Sequence, residues 1–299
     1  MKITEKFKNH QKKWARISKH WGNFTEPSRP SRGDIANYNS LLSAALKNRK
    51  NPDILLLGST PEIRDVLFKF SMTHGAKVIC ADMTREMFDA MSALTDFKNA
   101  KEKFVSANWV DMRFDKKFDV IIGDFVNGNI GDRHKHAYFS NLVSLLKEDG
   151  SFITRDCVFT DECKIGSVEQ AFRSFLNQAR DEEYPMKKAA NMAANTLIWA
   201  SRALNDERKG SLSYFWPELE KFGEKLDSAR SEDDILLKIM YQRMMRAWTP
   251  YKSKYWTYNT FEENKRMLEG YFIIKKTLFA DDYGKIITKA SPMYLLGKQ

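Results

Sequence analysis

Four short apolar runs in this chain each end in a residue type that can hold a polar ligand. "DILLLG" ends at Gly58, where the missing side chain lets the backbone turn sharply and lets a ligand approach it. "AKVICAD" ends at Asp82, 24 residues further on, with Met83 following; an acid at that separation can accept hydrogen bonds from ribose hydroxyls. "EKFVSANW" ends with an amide and a flat ring, Asn108 and Trp109, and "FDVIIGDFVNGN" brings Asp124 and Asn127 to the same kind of position. Each residue also has an ordinary explanation as a tight turn, a helix cap, core packing or a solvated acid. Their order and spacing together point to a nucleoside cofactor.

These residues can share a site only if the runs carrying them are neighbours in one sheet. Continuous apolar strands alternate with helical patterns ("PEIRDVLFKFSMTHG", "TREMFDAMSAL", "HAYFSNLVSLLKEDG") up to a fifth run, "GSFITRDCVF". That alternation predicts an α/β fold: a parallel sheet covered on both faces, with right-handed crossovers and the ligand beyond the carboxyl ends of the strands. After Phe159 helical patterns cover about 166–180, 186–206, 211–227, 231–247 and 260–269, with Ser231/Asp234 and Thr260/Glu263 as caps. Strand-like sequence returns at 271–281 and 291–298, close enough for an antiparallel pair. The predicted organisation is a basic helical arm and a lead-in helix at 1–50, the latter started by a Ser31/Asp34 capping box and running to about Leu46, a cofactor-binding core at 51–160 and 270–299, and a helical insertion at 161–269. An insertion of that length exceeds an ordinary connection and is expected to serve the substrate.

Residues 53–159 with the final strand pair resemble a class I S-adenosylmethionine-dependent methyltransferase. The matching features are the glycine loop "LLLGSTPE", Asp82 followed by Thr84 and Met87, and the third-strand pattern of Asn108, Trp109, Asp111, Met112, Arg113 and Phe114. The resemblance implies a Rossmann-like, mostly parallel seven-stranded sheet with helices on both faces, a closing antiparallel pair, and the insertion between the fifth and sixth strands. It also implies S-adenosylmethionine as cofactor and S-adenosylhomocysteine as product. In that family the glycine loop lies against the methionine part, the second-strand acid binds the ribose, and the Asn108 side chain and Trp109 backbone would meet the adenine. The chain departs from the family at Thr60 and Glu62, which replace the later loop glycines and add groups able to bind the methionine ammonium, and at Asn108, which replaces an acid but can still accept from the adenine amine. The other reading of Glu62 is that it simply complements the positive end of the helix that follows it. A nicotinamide dehydrogenase fits less well because the full glycine pattern is missing, and no P-loop lysine follows Gly58.

The composition, 42% hydrophobic and 29% charged, is that of an ordinary globular chain. Residues 1–50 carry 12 lysines and arginines against Glu5, Glu26 and Asp34, while the rest is nearly balanced, so the net charge of +10 belongs to the arm. Within the arm Ile3, Phe7, Trp14, Ile17 and Trp21 fall on one helical face, which predicts docking on the main domain or, as the other reading, a nucleic-acid or membrane-surface arm. No run approaches the roughly 18 apolar residues of a membrane span, and the start lacks a signal-peptide core. Cys80, Cys157 and Cys163 have neither disulfide nor zinc spacing. A cytoplasmic location is expected.

Methyl transfer is an in-line displacement that chiefly requires alignment and exclusion of water, with a base only where the acceptor must lose a proton. Base or positioning candidates are Asp124, Asp156 and His134, the last in the polar stretch "GDRHKHAYF" with His136; no metal spacing is present, and a metal-independent reaction is expected. The aromatic stretch "AWTPYKSKYWTYNTF" is expected to form a lid over the acceptor, using Trp248, Tyr251, Tyr255 and Trp256, with Asn127 at the rim and Arg155, Arg246, Lys252 or Lys254 available to an anionic substrate. The expected activity is methylation of an O or N atom of a small, anionic or aromatic metabolite. An RNA methyltransferase using the basic arm and a non-catalytic methyltransferase-like domain are the alternatives.

Overall fold

The structure is a computed structural model that describes residues 11–12, 15, 18–98, 102–160, 165–183, 185–204, 208–228, 230–283 and 288–299. Of the aromatic face expected for the arm, Trp21 is described, while Ile3, Phe7, Trp14 and Ile17 lie outside the described residues, as does Cys163.

In chain order the larger elements are α1 (Arg32–Ala45), β1 (Asp53–Leu57), α2 (Pro61–His74), β2 (Lys77–Asp82), α3 (Arg85–Ser92), β3 (Lys103–Ser106), β4 (Phe118–Asp124), α4 (Asp132–Leu145) and β5 (Leu146–Arg155). They continue as α5 (Val168–Asp181), α6 (Met186–Ala200), α7 (Trp216–Asp227), α8 (Glu232–Trp248), α9 (Phe261–Glu269), β6 (Phe272–Leu278) and β7 (Met293–Lys298). The seven strands form one sheet in the order β6-β7-β5-β4-β1-β2-β3. Strands β1 to β5 are parallel, and β7 runs antiparallel to both β5 and β6.

Strand β1 shows why a continuous apolar run is required. Successive side chains point to opposite faces, and both faces are covered. Leu55 and Leu57 join Ile121, Tyr138 and Phe139 in one core, whereas Ile54 and Leu56 join Tyr38, Leu41, Val120 and Ile122 in another. A third core lies among α5 to α8, where α6 is buried from Ala189 to Ala200. A helix apolar all round must sit inside a bundle, and α6 packs against α5 and α8.

The predicted caps form. Ser31 and Thr260 make reciprocal capping boxes with Asp34 and Glu263, and Ser231 accepts from the Asp234 amide. The fifth run is split: β5 ends at Arg155, and Val158–Phe159 pairs instead with Asn259–Thr260 just before α9. That two-residue bridge ties the helical region to the carboxyl edge of the sheet.

Candidate cofactor and substrate site

The turn after β1 is left-handed at Gly58, with φ of 84°. A Cβ there would come no nearer than 3.7 Å to the Trp109 ring, so backbone conformation, not space, demands the glycine. The turn is held by the Gly58 amide, which donates to the Ala81 carbonyl at 2.9 Å. The Trp109 indole N–H donates to the same carbonyl at 2.8 Å, laying its ring beside Gly58.

At the end of β2 the Ser59 hydroxyl donates to Asp82 Oδ2 and the Met83 amide to Oδ1, each at 2.6 Å. Burial pushes the Asp82 carboxyl up to about 6, and these two bonds hold it from going higher. Ser59 carries no sequence signal beyond its place after Gly58, yet it is the loop hydroxyl that meets the acid. Asn108 is half-buried and its Oδ1 accepts from the Val110 amide at 3.3 Å, while Asn141 donates to the Trp109 carbonyl at 3.1 Å. Gly58, Asp82, Met83, Asn108 and Trp109 are thus brought to one rim, at the carboxyl ends of β1, β2 and β3.

Thr60 caps α2 without a side-chain hydrogen bond, and Pro61 and Glu62 open the helix. Glu62 Oε1 accepts from Arg29 Nε at 2.6 Å, while Oε2 is buried with no hydrogen-bond partner. Burial raises the Glu62 carboxyl from its usual range, with Arg29 opposing the rise. The arginine comes from "PSRPSR", ahead of α1, and nothing in that stretch marks it as a partner of the glycine loop.

Beyond β4 and β5 the structure corrects several expectations. Arg155 is fully buried and its donors are used internally: Nε and Nη2 grip both oxygens of Asp124 at 2.7 and 3.0 Å, Nη1 meets Asp34 and the Tyr283 hydroxyl, and Nη2 also reaches the Pro27 carbonyl. It is therefore not available to an anionic substrate. Asp124 additionally accepts from the Tyr38 hydroxyl at 3.0 Å, so it is an ion-pair member rather than a free base. Asp156 is buried too, accepting from Asn127, Asn264 and Thr154. Asn127 faces that acid and accepts from Tyr138, so it lies beneath the rim and not on it. Burial raises both Asp124 and Asp156, with Arg155 opposing at Asp124 and the amides at Asp156. His134 is exposed on the first turn of α4, where its Nε2 accepts from Arg133. Between these groups Phe125 holds a positive φ of 50°, an uncommon conformation for a bulky residue, with the Arg155 guanidinium 4.0 Å from its ring centroid.

The aromatic stretch divides. Trp248 and Tyr251 are each 3% exposed and close around Phe24 with ring centroids at 4.9 Å, so they are core and not lid. Their burial has a simple cause: Trp248 ends α8, whose inner face packs on α6, and Phe24 fills the remaining gap. Tyr255 is 58% exposed with Lys209 over its ring, and Trp256 is half-buried with Lys254 at 4.7 Å. Lys254 also donates to Asn129, and Thr257 to the Ile130 carbonyl, which moors this stretch to the loop after β4.

No protein-family model matches the sequence, and no curated protein sequence matches it. Solved structures do. A Rhodobacter sphaeroides protein provisionally described as a Zn-dependent alcohol dehydrogenase is 12% identical, with a TM-score of 0.55 over 97% of this chain and 98% of that one. A Haloferax volcanii protein provisionally described as a methyltransferase, solved with its activator Trm112, is 10% identical with a TM-score of 0.50 over 97% and 96%. The N-methyltransferase NodS of Bradyrhizobium japonicum, solved with S-adenosylhomocysteine, is 8% identical with a TM-score of 0.49 over 96% and 98%. The doubly wound dinucleotide fold has the strand order 3-2-1-4-5-6. Here a seventh strand, β7, is inserted antiparallel between β5 and β6. That arrangement, with helices on both faces, is the Rossmann-like seven-stranded fold of class I methyltransferases.

Proposed function

We propose that this protein is an S-adenosylmethionine-dependent methyltransferase acting on an O or N atom of a small metabolite, anionic or aromatic in character. The observation that carries the reading is the rim made by Gly58, Asp82 and Trp109: a left-handed glycine turn, a partly satisfied carboxylate and a flat indole at adjacent strand ends. The residues fit the cofactor, because each Asp82 oxygen keeps accepting capacity after its one bond, and Glu62 Oε2 is a buried acceptor still lacking a donor. Asp82 would take the ribose hydroxyls, Asn108 and the Trp109 backbone the adenine edge, and the Gly58–Glu62 loop the methionine end. When bound, the cofactor supplies a methyl carbon activated by its sulfonium.

The chain's own task is then to align the acceptor and exclude water. Asp124 and Asp156, locked in buried networks, support the loop after β4 rather than take a proton. The acceptor is therefore one that arrives with a lone pair ready, such as a carboxylate or an amine that reaches the site unprotonated. Tyr255 and Trp256, beside Lys209 and Lys254, are the exposed and half-exposed aromatics next in sequence to Thr257, which is moored to the Ile130 carbonyl, and they suit an aromatic or anionic acceptor.

Calorimetry with S-adenosylmethionine and S-adenosylhomocysteine tests the cofactor. Binding of both is expected; binding of neither would remove the enzymatic reading. Labelled cofactor incubated with fractionated cell extract should then place label in a small-molecule fraction, and label found only in RNA would overturn the substrate class.

A further inference from the structure

We infer that Arg29 and Glu62 together form a receptor for an α-amino-acid zwitterion, Arg29 taking the carboxylate and Glu62 the ammonium of the cofactor's methionine end; this rests on the cofactor reading above.

The first ground is the way the pair is made. A guanidinium and a carboxylate match best as two parallel bonds to two oxygens. Here Arg29 Nε and Nη2 both meet the same oxygen, Glu62 Oε1, and Oε2 is left buried without a partner. The pair is under-satisfied on the carboxylate side. An ammonium carries three donors and can supply the missing bond, while a carboxylate offers the arginine fork the two oxygens it lacks.

The second ground is position. Both side chains are about one-fifth exposed, at 22% and 21%, so they border solvent while remaining largely desolvated. Glu62 lies four residues after the left-handed Gly58, on the first turn of α2. Burying an ion pair alone is costly, and losing one partner costs more. A zwitterion is neutral overall and brings one charge of each sign, so its arrival leaves neither Arg29 nor Glu62 unpaired.

The third ground is rigidity. The backbone that carries Arg29 is gripped on both sides. Asn191 on α6 donates to the Thr25 and Glu26 carbonyls at 2.6 and 3.0 Å, and Asn191 and Asn195 both reach the Ser28 hydroxyl. From the sheet Arg155 donates to the Pro27 carbonyl at 3.0 Å, and beyond it Ser31 donates to Asp282 at 2.7 Å. A side chain on a fixed backbone loses less freedom on binding than one on a loose arm. The same grips connect the zwitterion site to the helical insertion, through Asn191 and Asn195.

The test compares three probes by calorimetry on the full chain: S-adenosylhomocysteine, decarboxylated S-adenosylmethionine, which keeps the ammonium and lacks the carboxylate, and 5′-methylthioadenosine, which lacks both. Arg29→Ala should weaken S-adenosylhomocysteine by roughly 10- to 100-fold, the scale of a hydrogen bond to a charged group, and leave the other two within about twofold. Glu62→Gln should weaken the first two probes and spare 5′-methylthioadenosine. Arg29→Lys, which keeps the charge without the fork, should recover part of the loss, and thermal melts confirm that each variant is folded. A wild-type protein that binds all three probes while Arg29→Ala weakens them equally, or none of them, would overturn the zwitterion receptor and leave the cofactor reading standing. A wild-type protein that binds none would overturn both.

Discussion

Lowering the pH from 7.5 to 5 should weaken S-adenosylhomocysteine binding by about tenfold through Asp82 alone. The carboxyl titrates at about 6 because burial disfavours its charged form. Ionised, it accepts from Ser59 and Met83 and still has capacity for two hydroxyls; protonated, one oxygen becomes a donor and one acceptor position is lost. If only the ionised form binds ribose, the apparent Kd grows by one plus ten to the power of pKa minus pH, which is negligible at pH 7.5, about twofold at pH 6 and about elevenfold at pH 5. Glu62 and Asp124 are raised by burial as well, so the loss should steepen at the acid end. Asp82→Asn isolates the effect: it should bind roughly 10- to 100-fold more weakly at neutral pH, as for a lost charged hydrogen bond, and show no inflection near 6. The sign for stability is opposite. An acid whose folded pKa lies above its unfolded one binds its proton more tightly when folded, so Asp82 becomes progressively destabilising as pH rises from about 4 to about 6. Asp82→Asn should therefore melt at a higher temperature than wild type at pH 7.5. Calorimetry across pH with both proteins decides the matter: affinity flat from 7.5 to 5, or an inflection near 6 that survives in Asp82→Asn, would refute the assignment of the ribose to this carboxylate.

Arg155→Ala should lower stability by about 3–5 kcal/mol in urea unfolding, because it leaves Asp34 and Asp124 buried without their cation; a change under about 1 kcal/mol would contradict the network. Phe125→Gly relieves a positive φ and should leave the melting temperature unchanged or higher despite the lost aromatic ring, whereas a large drop would show that Phe125 is there for packing. Tyr255→Ala, at an exposed ring, should alter stability by less than about 0.5 kcal/mol and leave S-adenosylhomocysteine affinity unchanged, while transfer of label to the extract fraction falls.

The sheet was legible in the sequence because each strand is buried on both faces and must be apolar throughout. Ile54, Leu55, Leu56 and Leu57 feed two different cores, so no polar residue can interrupt them. Helix starts were legible for a local reason as well: Ser31/Asp34 and Thr260/Glu263 satisfy their own amides within four residues. The rim residues Gly58, Asp82, Asn108 and Trp109 were legible because strand ends in a parallel sheet share one edge, and topology alone brings them together.

What the sequence concealed is what depends on contacts between distant segments. Arg155 follows a strand and is charged, which marks it as a rim residue; only the fold shows that Asp34 and Tyr283, 121 and 128 residues away, close over it. Trp248 and Tyr251 sit in a stretch without helical period, yet Phe24 fills the space between them from the other end of the chain. In each case one covering group, Asp34 or Phe24, comes from α1 or from the segment ahead of it. The conspicuous charge of that segment marks it as a basic arm, but charge reports on its solvent face and not on its docked one. Among the described residues it docks through Trp21, Phe24 and backbone carbonyls accepting from Asn191 and Arg155. A carbonyl acceptor has no residue-type signature, so a segment held largely by its backbone leaves no trace in composition or periodicity. The same holds for Arg29: its importance derives from a backbone fixed on both sides, which delivers an otherwise ordinary arginine to the glycine loop.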